Sequence, residues 1–273
     1  IIILMRLSLY TILLIFLLVV SLALRLSLLE YPIIHTSKWG DGTRDYLIAH
    51  YIVKYNEVPL VGPFNLLFES GIKNSPLYYY LLGLILFLHD DVMTLSWVNI
   101  FLQITTIILI YATSKLIFGN PTALISTLFF GFTPEILRQT EYIWQPYVMQ
   151  TFAYLSLFLL VRSYLKRSYL LVILSLVTLA LATTIHSSAF PWILPFILAA
   201  FWWVRLYKKK YQFYLGIPLT LVLTFTILHI PVLIYYFSNQ GTNIYLGSAY
   251  FIFSFKNYLE NFFLNYSQVM ETF

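Results

Sequence analysis

Cysteine is absent from the 273 residues, which excludes disulfides, thiolate metal sites and a cysteine nucleophile. Charge is scarce. Asp, Glu, Lys and Arg make up 10% of the chain against 60% hydrophobic residues, and the mean hydropathy is +0.81. No soluble domain of this length carries so much apolar surface, so the chain is read as a multispanning membrane protein. It contains no glycine-rich phosphate loop, no HExxH and no GxSxG, which leaves P-loop, zinc-protease and serine-hydrolase chemistry without a motif. The first apolar run is too long for a cleaved signal, and no small-residue cleavage site follows it. The net charge of +5 does not argue for nucleic acid, because the basic residues are scattered between apolar runs.

What the chain has in excess is apolar runs and aromatic rings. Aromatics reach 19%, with 23 Tyr and 23 Phe, a composition suited to membrane–water interfaces. Long apolar runs lie at 7–24, 92–114, 121–138, 147–165, 168–185, 189–206 and 213–236. The run at 76–88 is shorter than the roughly 20 residues a bilayer needs. Its fate decides the topology. If it does not cross, Lys115, Arg162, Lys166, Arg167, Arg205 and Lys208 to Lys210 share the cytoplasmic side with Arg6, and all 11 acidic residues lie on or near the outer face. If it crosses, the triple lysine faces outward. The positive-inside rule selects the first arrangement. The expectation is an all-α, polytopic helical membrane protein with about seven spans in residues 1–236. An outer loop at 25–91 carries juxtamembrane helices. Residues 237–273 begin a larger outer segment of a longer chain, of which this sequence is read as a piece.

The longest polar interval, Trp39 to Tyr80, holds Asp41, Arg44, Asp45, His50, Lys54, Glu57, Glu69 and Lys73. Asp41 follows Gly40 at the N-cap position of a periodic stretch, Thr43–Asn56, which predicts a helix with Ile48, Ile52 and Tyr55 on one stripe and His50, Lys54 and Glu57 toward water. Two readings of Asp41 stand: a helix cap, or a general base beside the bilayer. Arg44 either pairs with Asp41 or Asp45 or holds a lipid-linked phosphate, for which a bidentate planar donor suits the geometry. Lys54 and Lys73 are further candidates for the phosphate. Two other segments reach the same outer face. One is TEYIWQP, with Glu141 and Gln145 flanking Trp144; the other is TTIHSS, with His186. The bland readings are an interfacial turn and a hydrogen-bonded end cap. His89-Asp90-Asp91 reads as a solvated turn, since adjacent residues rarely point at one metal.

The order of these pieces resembles a known family. GDGTRDYLIAHYIVKYNEVPLVGP is followed by SPLYYYLLGLILFL, then IFGNPTALISTLFFGFTPEILRQTEYIWQPYV, then a histidine at the next outer span end. From about Trp39 to Pro195 this is similar to the GT-C glycosyltransferases of the protein O-mannosyltransferase superfamily. The nearest-looking branch also contains lipid A aminoarabinose and galacturonic acid transferases. The resemblance implies transfer of a sugar, usually with inversion, from a polyprenyl or dolichyl phosphate carrier to a lipid, glycan or protein acceptor on the outer face of the cell membrane. It implies an acidic base in the first loop, often an Asp-Glu pair followed two residues later by Arg. Asp41 and Arg44 match, Gly42 stands in place of the Glu, and Asp45 is the nearby second carboxylate. Asn74-Ser75 replaces the family's Lys-Pro, with Lys73 one position early. Gln145 stands where Asn or Asp is usual, and His186 matches. The substrate set implied is Arg44, Lys73, Glu141, Gln145 and His186. A divalent metal is compatible with this chemistry, though no residue pattern demands one. The competing classes are a transporter or flippase and a non-catalytic scaffold. A transporter predicts charges inside spans and repeated halves; no convincing repeat is found.

Overall fold

Helix starts and stops follow the local sequence. Ser8 accepts the Thr11 N–H at 3.2 Å and opens α1 (Leu9–Ser27). The structure, a computed structural model, describes residues 8–29, 41–62, 74–140, 143–210 and 212–237. After α1 come α2 (Asp41–Tyr55), α3 (Leu77–Leu88), α4 (Val92–Phe118), α5 (Asn120–Phe132), α6 (Pro134–Arg138), α7 (Gln145–Lys166) and α8 (Tyr169–Ile185). A 3-10 segment (Ser187–Trp192), α9 (Ile193–Leu206) and α10 (Gln212–Phe237) complete the order. No strand occurs among the described residues. Asp91 caps α4 by accepting the Met93 N–H at 2.7 Å. Gly119, at φ +87°, ends it in a backbone conformation that side chains resist. Prolines open α5, α6 and α7, where a missing N–H costs nothing.

The protein is a polytopic helical membrane protein. Five of the seven expected spans are helices long and apolar enough to cross a bilayer: Leu9–Ser27, Val92–Phe118, Gln145–Lys166, Ser187–Leu206 and Phe213–Tyr235. The other two are shorter. The run at 168–185 forms a helix of 17 residues. The run at 121–138 breaks after 13 residues, because Pro134 has no N–H to continue the ladder. α3, with 12 residues, is about 18 Å long and too short to span. α7 packs most extensively on α8, α4 lies between α5 and α7, and α1 leans on α5.

Arg25, expected at the edge of the outer loop, is instead inside α1 and fully buried. Its Nε donates to Gln103 Oε1 at 2.8 Å and its Nη1 to the Gly131 carbonyl at 3.0 Å and to Ser21 Oγ. The break at Thr133 removes the helical donor that would have reached Gly131, and the arginine supplies another. Backbone groups at membrane depth need such partners. Thr140 donates to the same Gln103 oxygen at 3.3 Å, so one network ties α1, α4, the end of α5 and the 139–140 link.

The segment read as a loop folds back onto the bundle. α2 packs on α3, and Ala49, Tyr78, Tyr79, Leu82 and Leu86 share one core with Leu95, Val148, Met149, Ala182 and Ile185. Gly83 lets Ile52 approach: a Cβ there would sit 3.2 Å from Ile52 Cγ2. Gly62 lies so close to the next strand of chain that a Cβ would fall 2.0 Å from the Ser75 carbonyl oxygen. Ser75 Oγ donates to the Leu228 carbonyl at 2.7 Å, anchoring the start of α3 to α10. Two details of the expected helix change. It starts at Asp41, which is its first helical residue. Its buried line is Gly42, Asp45 and Ala49 rather than one reaching Tyr55, which is half exposed. Spacing of three and four puts those small residues and one carboxylate against α3.

Candidate active site

α2 carries an acid, a guanidinium and a second acid within one turn. Arg44 Nη1 donates to Asp41 Oδ1 at 2.7 Å, while its Nε and Nη2 donate to Asp45 Oδ1 at 2.9 and 2.7 Å. The three residues differ in exposure. The Asp41 side chain is 43% exposed, Arg44 32% and Asp45 0%. Asp45 is therefore sealed under Arg44, and Asp41 faces outward beside it.

Burial pushes the Asp45 carboxyl up to about 6, although the Arg44 guanidinium pulls the other way. Arg44 stays a cation, since the two carboxylates outweigh its own desolvation. With both acids ionised the trio carries one net negative charge. Of the two readings of Arg44, the bonds present are those of the ion pair.

Two further residues close on Asp45. Gln145, the first residue of α7 and nearly buried, donates Nε2 to Asp45 Oδ2 at a long 3.5 Å. Tyr79, buried on α3, lies close enough to Asp45 and Arg44 to act on both electrostatically. Tyr78, fully buried next to it, has no hydrogen-bond partner for its hydroxyl among the described residues. Neither tyrosine was singled out from sequence as a site residue. The available signal was two phenols inside an otherwise apolar helix, each of which needs a partner when buried. His50 fastens the other end of α2, with Nδ1 2.7 Å from Asp90 Oδ2 in the link after α3.

The structure thus brings Asp41, Arg44, Asp45 and Gln145 together. His186 occupies the link between α8 and the 3-10 segment. Its Nδ1 accepts the Ser188 N–H at 3.2 Å and lies 2.8 Å from Ser188 Oγ, which is the end-cap arrangement. Burial lowers its pKa and favours the neutral ring. Its neighbours Ile185 and Ala189 belong to the same core as Ala49 and Tyr78, so His186 sits at the same end of the bundle. Lys73 and Glu141 lie outside the described residues. Among the described residues no three of His, Asp and Glu converge as metal ligands.

A groove lies along α7. It encloses about 290 Å³ and is lined by Phe130, Ile136, Met149, Gln150, Ala153, Tyr154, Leu157 and Trp192. Met149, Ala153 and Leu157 follow Gln145 at intervals of four, so they form one stripe down α7 from the residue that touches Asp45. At 1.5 Å per residue the stripe from Gln145 to Leu157 is about 18 Å long.

The comparisons with known proteins add one match. A family model described as dolichyl-phosphate-mannose-protein mannosyltransferase matches residues 73–235. The match includes α3, Gln145, His186 and the groove, and stops short of Asp41, Arg44 and Asp45. No curated protein and no solved structure matches the chain.

Proposed function

This chain belongs to the dolichyl-phosphate-mannose-protein mannosyltransferase family, membrane glycosyltransferases that draw their sugar from a polyprenyl phosphate carrier, and on that premise we propose that it passes the sugar, with inversion, to a hydroxyl or phosphate acceptor at the extracytoplasmic face of the cell membrane. The observation that carries this reading is the pairing of a half-exposed carboxylate, Asp41, with a groove whose lining residues Met149, Ala153 and Leu157 continue the α7 stripe that begins at Gln145, the residue touching Asp45.

In this reading the acceptor oxygen attacks the anomeric carbon while the bond from that carbon to the phosphate oxygen breaks. The phosphate keeps the electron pair and stays on its lipid. Asp41 takes the acceptor proton. Arg44 fixes the orientation of Asp41, and buried Asp45 fixes Arg44. A hydrogen-bonded, preorganised base needs little reorganisation as charge develops. The carrier's polyprenyl tail lies in the α7 groove, which spares the enzyme from extracting it from lipid. Gln145 and His186 are proposed as hydrogen-bonding contacts to the phosphosugar, with Lys73 and Glu141 as further candidates.

Asp41→Asn tests the base. Asn keeps the size of Asp and an oxygen that can still accept from Arg44, so the variant should keep its thermal midpoint. Its transfer from a polyprenyl phosphate sugar in liposomes should fall by roughly 100-fold to 10,000-fold. A stable variant with unchanged transfer would shift the base to Asp45 or Glu141. If the unmutated protein releases no sugar from any such carrier, the transport and scaffold readings gain.

A further inference from the structure

The end of the bundle away from Asp45 is built almost wholly of cations. Lys115, Arg162, Lys166, Arg167, Arg205 and Lys208 to Lys210 end or follow the helices there, and no Asp or Glu occurs between residues 92 and 134 or between 142 and 259. Two of these cations are set differently from the others. Arg167, just after α7, has φ 52°, and Lys208, just after α9, has φ 47°. These are left-handed positions beyond helix ends, where glycine is usual. The last turns of α7 and α9 already hold Lys166 and Arg205, so compensation of the helix dipoles does not require the extra pair.

Both residues line one shallow, open surface cleft, together with Leu206 and Tyr207. Its aromatic wall is fixed. The Tyr207 hydroxyl donates to the Tyr164 carbonyl, and its ring packs edge-on to Trp203, 5.0 Å away between centroids. The Arg167 guanidinium lies 5.6 Å from the Tyr207 ring centre. Next to the cleft, Leu165, Trp202 and Leu206 expose apolar surface. A charged recess at the ends of two spans, with apolar side chains beneath it, lies at headgroup depth.

We propose that this cleft binds the phosphate headgroup of an anionic phospholipid. Arg167 supplies a planar fork that matches two phosphate oxygens, Lys208 a point charge, and Leu206 and Tyr207 a surface for the glycerol and the first methylenes. Basic recesses between spans at this depth suit such headgroups. The charge bias that orients a membrane protein explains cations anywhere in these links; it does not explain their use at two glycine-favouring positions facing one cleft. The proposal is independent of the transfer reaction.

The test is lipid binding to the full chain in phosphatidylcholine nanodiscs, with phosphatidylglycerol added and counted by native mass spectrometry. The double variant Arg167→Gly, Lys208→Gly removes both charges and relaxes both backbones, and should keep its thermal midpoint in phosphatidylcholine. It should bind phosphatidylglycerol about 30-fold more weakly. Lys115→Gln with Arg162→Gln removes equal charge outside the cleft and should cost less than 3-fold on the same scale. Should the glycine pair fail to fold, Arg167→Asn with Lys208→Asn serves, since Asn also accepts left-handed backbone. Equal losses from the two pairs would reduce the effect to diffuse charge and overturn the site. So would the absence of any preference for phosphatidylglycerol in the wild type. Displacement of the lipid by millimolar inorganic phosphate alone would reassign the cleft to a soluble anion.

Discussion

Asp41 and Asp45 share one guanidinium and experience different solvents. Asp45 is sealed, so its charge is expensive and its carboxyl titrates near 6; in the unfolded chain it titrates at about 3.9. Between those values the fold holds more protons than the unfolded chain. By linkage Asp45 favours the fold most at acid pH, and that contribution is lost as pH rises through about 6. Thermal denaturation in detergent should therefore show wild type losing ground to Asp45→Asn between pH 4 and pH 7. A pH-independent difference would mean that Asp45 is ionised throughout. Arg44→Lys separates the two readings of Arg44. As an organiser of two carboxylates it should be poorly replaced by a single-point ammonium, and transfer should fall at unchanged apparent affinity for the donor. A selective rise in the KM for donor would return Arg44 to the phosphate. The residue types at 41, 44 and 45 were legible in the chain. Which acid is buried was not, because it depends on α3, which is distant in sequence and brings Tyr79 over Asp45.

The break between α5 and α6 shows what periodicity hides. Residues 121–138 read as one apolar run, and Thr133-Pro134 was the visible warning. What the chain did not reveal is how the broken end is satisfied, since Arg25 is distant in sequence. Arg25→Leu should strand the Gly131 carbonyl and Gln103 at membrane depth and cost about 3 kcal/mol or more in a denaturation assay in mixed micelles. Arg25→Lys should recover part of that. A fully stable Arg25→Leu protein would mean that the network carries no weight. The groove along α7 is testable in the same element. Ala153→Trp places a large ring in its middle and should raise the KM for a long polyprenyl phosphate donor about 10-fold or more while sparing a short-chain donor of the same sugar. Equal effects on both donors would show that the tail does not run along Met149, Ala153 and Leu157.

At the scale of the whole molecule, the two ends of the bundle have opposite chemistry. One end gathers Asp41, Asp45, Asp90, Asp91 and His186; the other gathers Lys115, Arg162, Lys166, Arg167, Arg205 and the triple lysine. This polarity was the most legible feature of the chain, because charge placement is decided residue by residue, whereas the fold-back of α2 and α3 depends on packing across distant segments. It was read from the shortness of residues 76–88, which form the 12-residue α3, shorter than the roughly 20 residues a bilayer needs. The proposed orientation across the membrane rests on the basic end, which the positive-inside rule would place in the cytoplasm. Because the chain has no cysteine, single cysteines can be introduced without background. Placed at Asp90 and His186, they should react with a membrane-impermeant maleimide in intact cells. Placed at Lys166 and Lys209, they should react only after permeabilisation. Neither pair touches Asp41 or Arg44; because His186 is itself proposed to contact the phosphosugar, the readout is labelling alone and not transfer. The reverse pattern would put the carboxylate site inside, where a carrier-linked sugar presented at the outer face could not reach it, and would end the extracytoplasmic reading. Labelling of Asp90 and Lys209 from the same side would instead mean that α3 or one of the two short helices, α5 and α8, does not hold the place in the membrane that the proposed orientation requires.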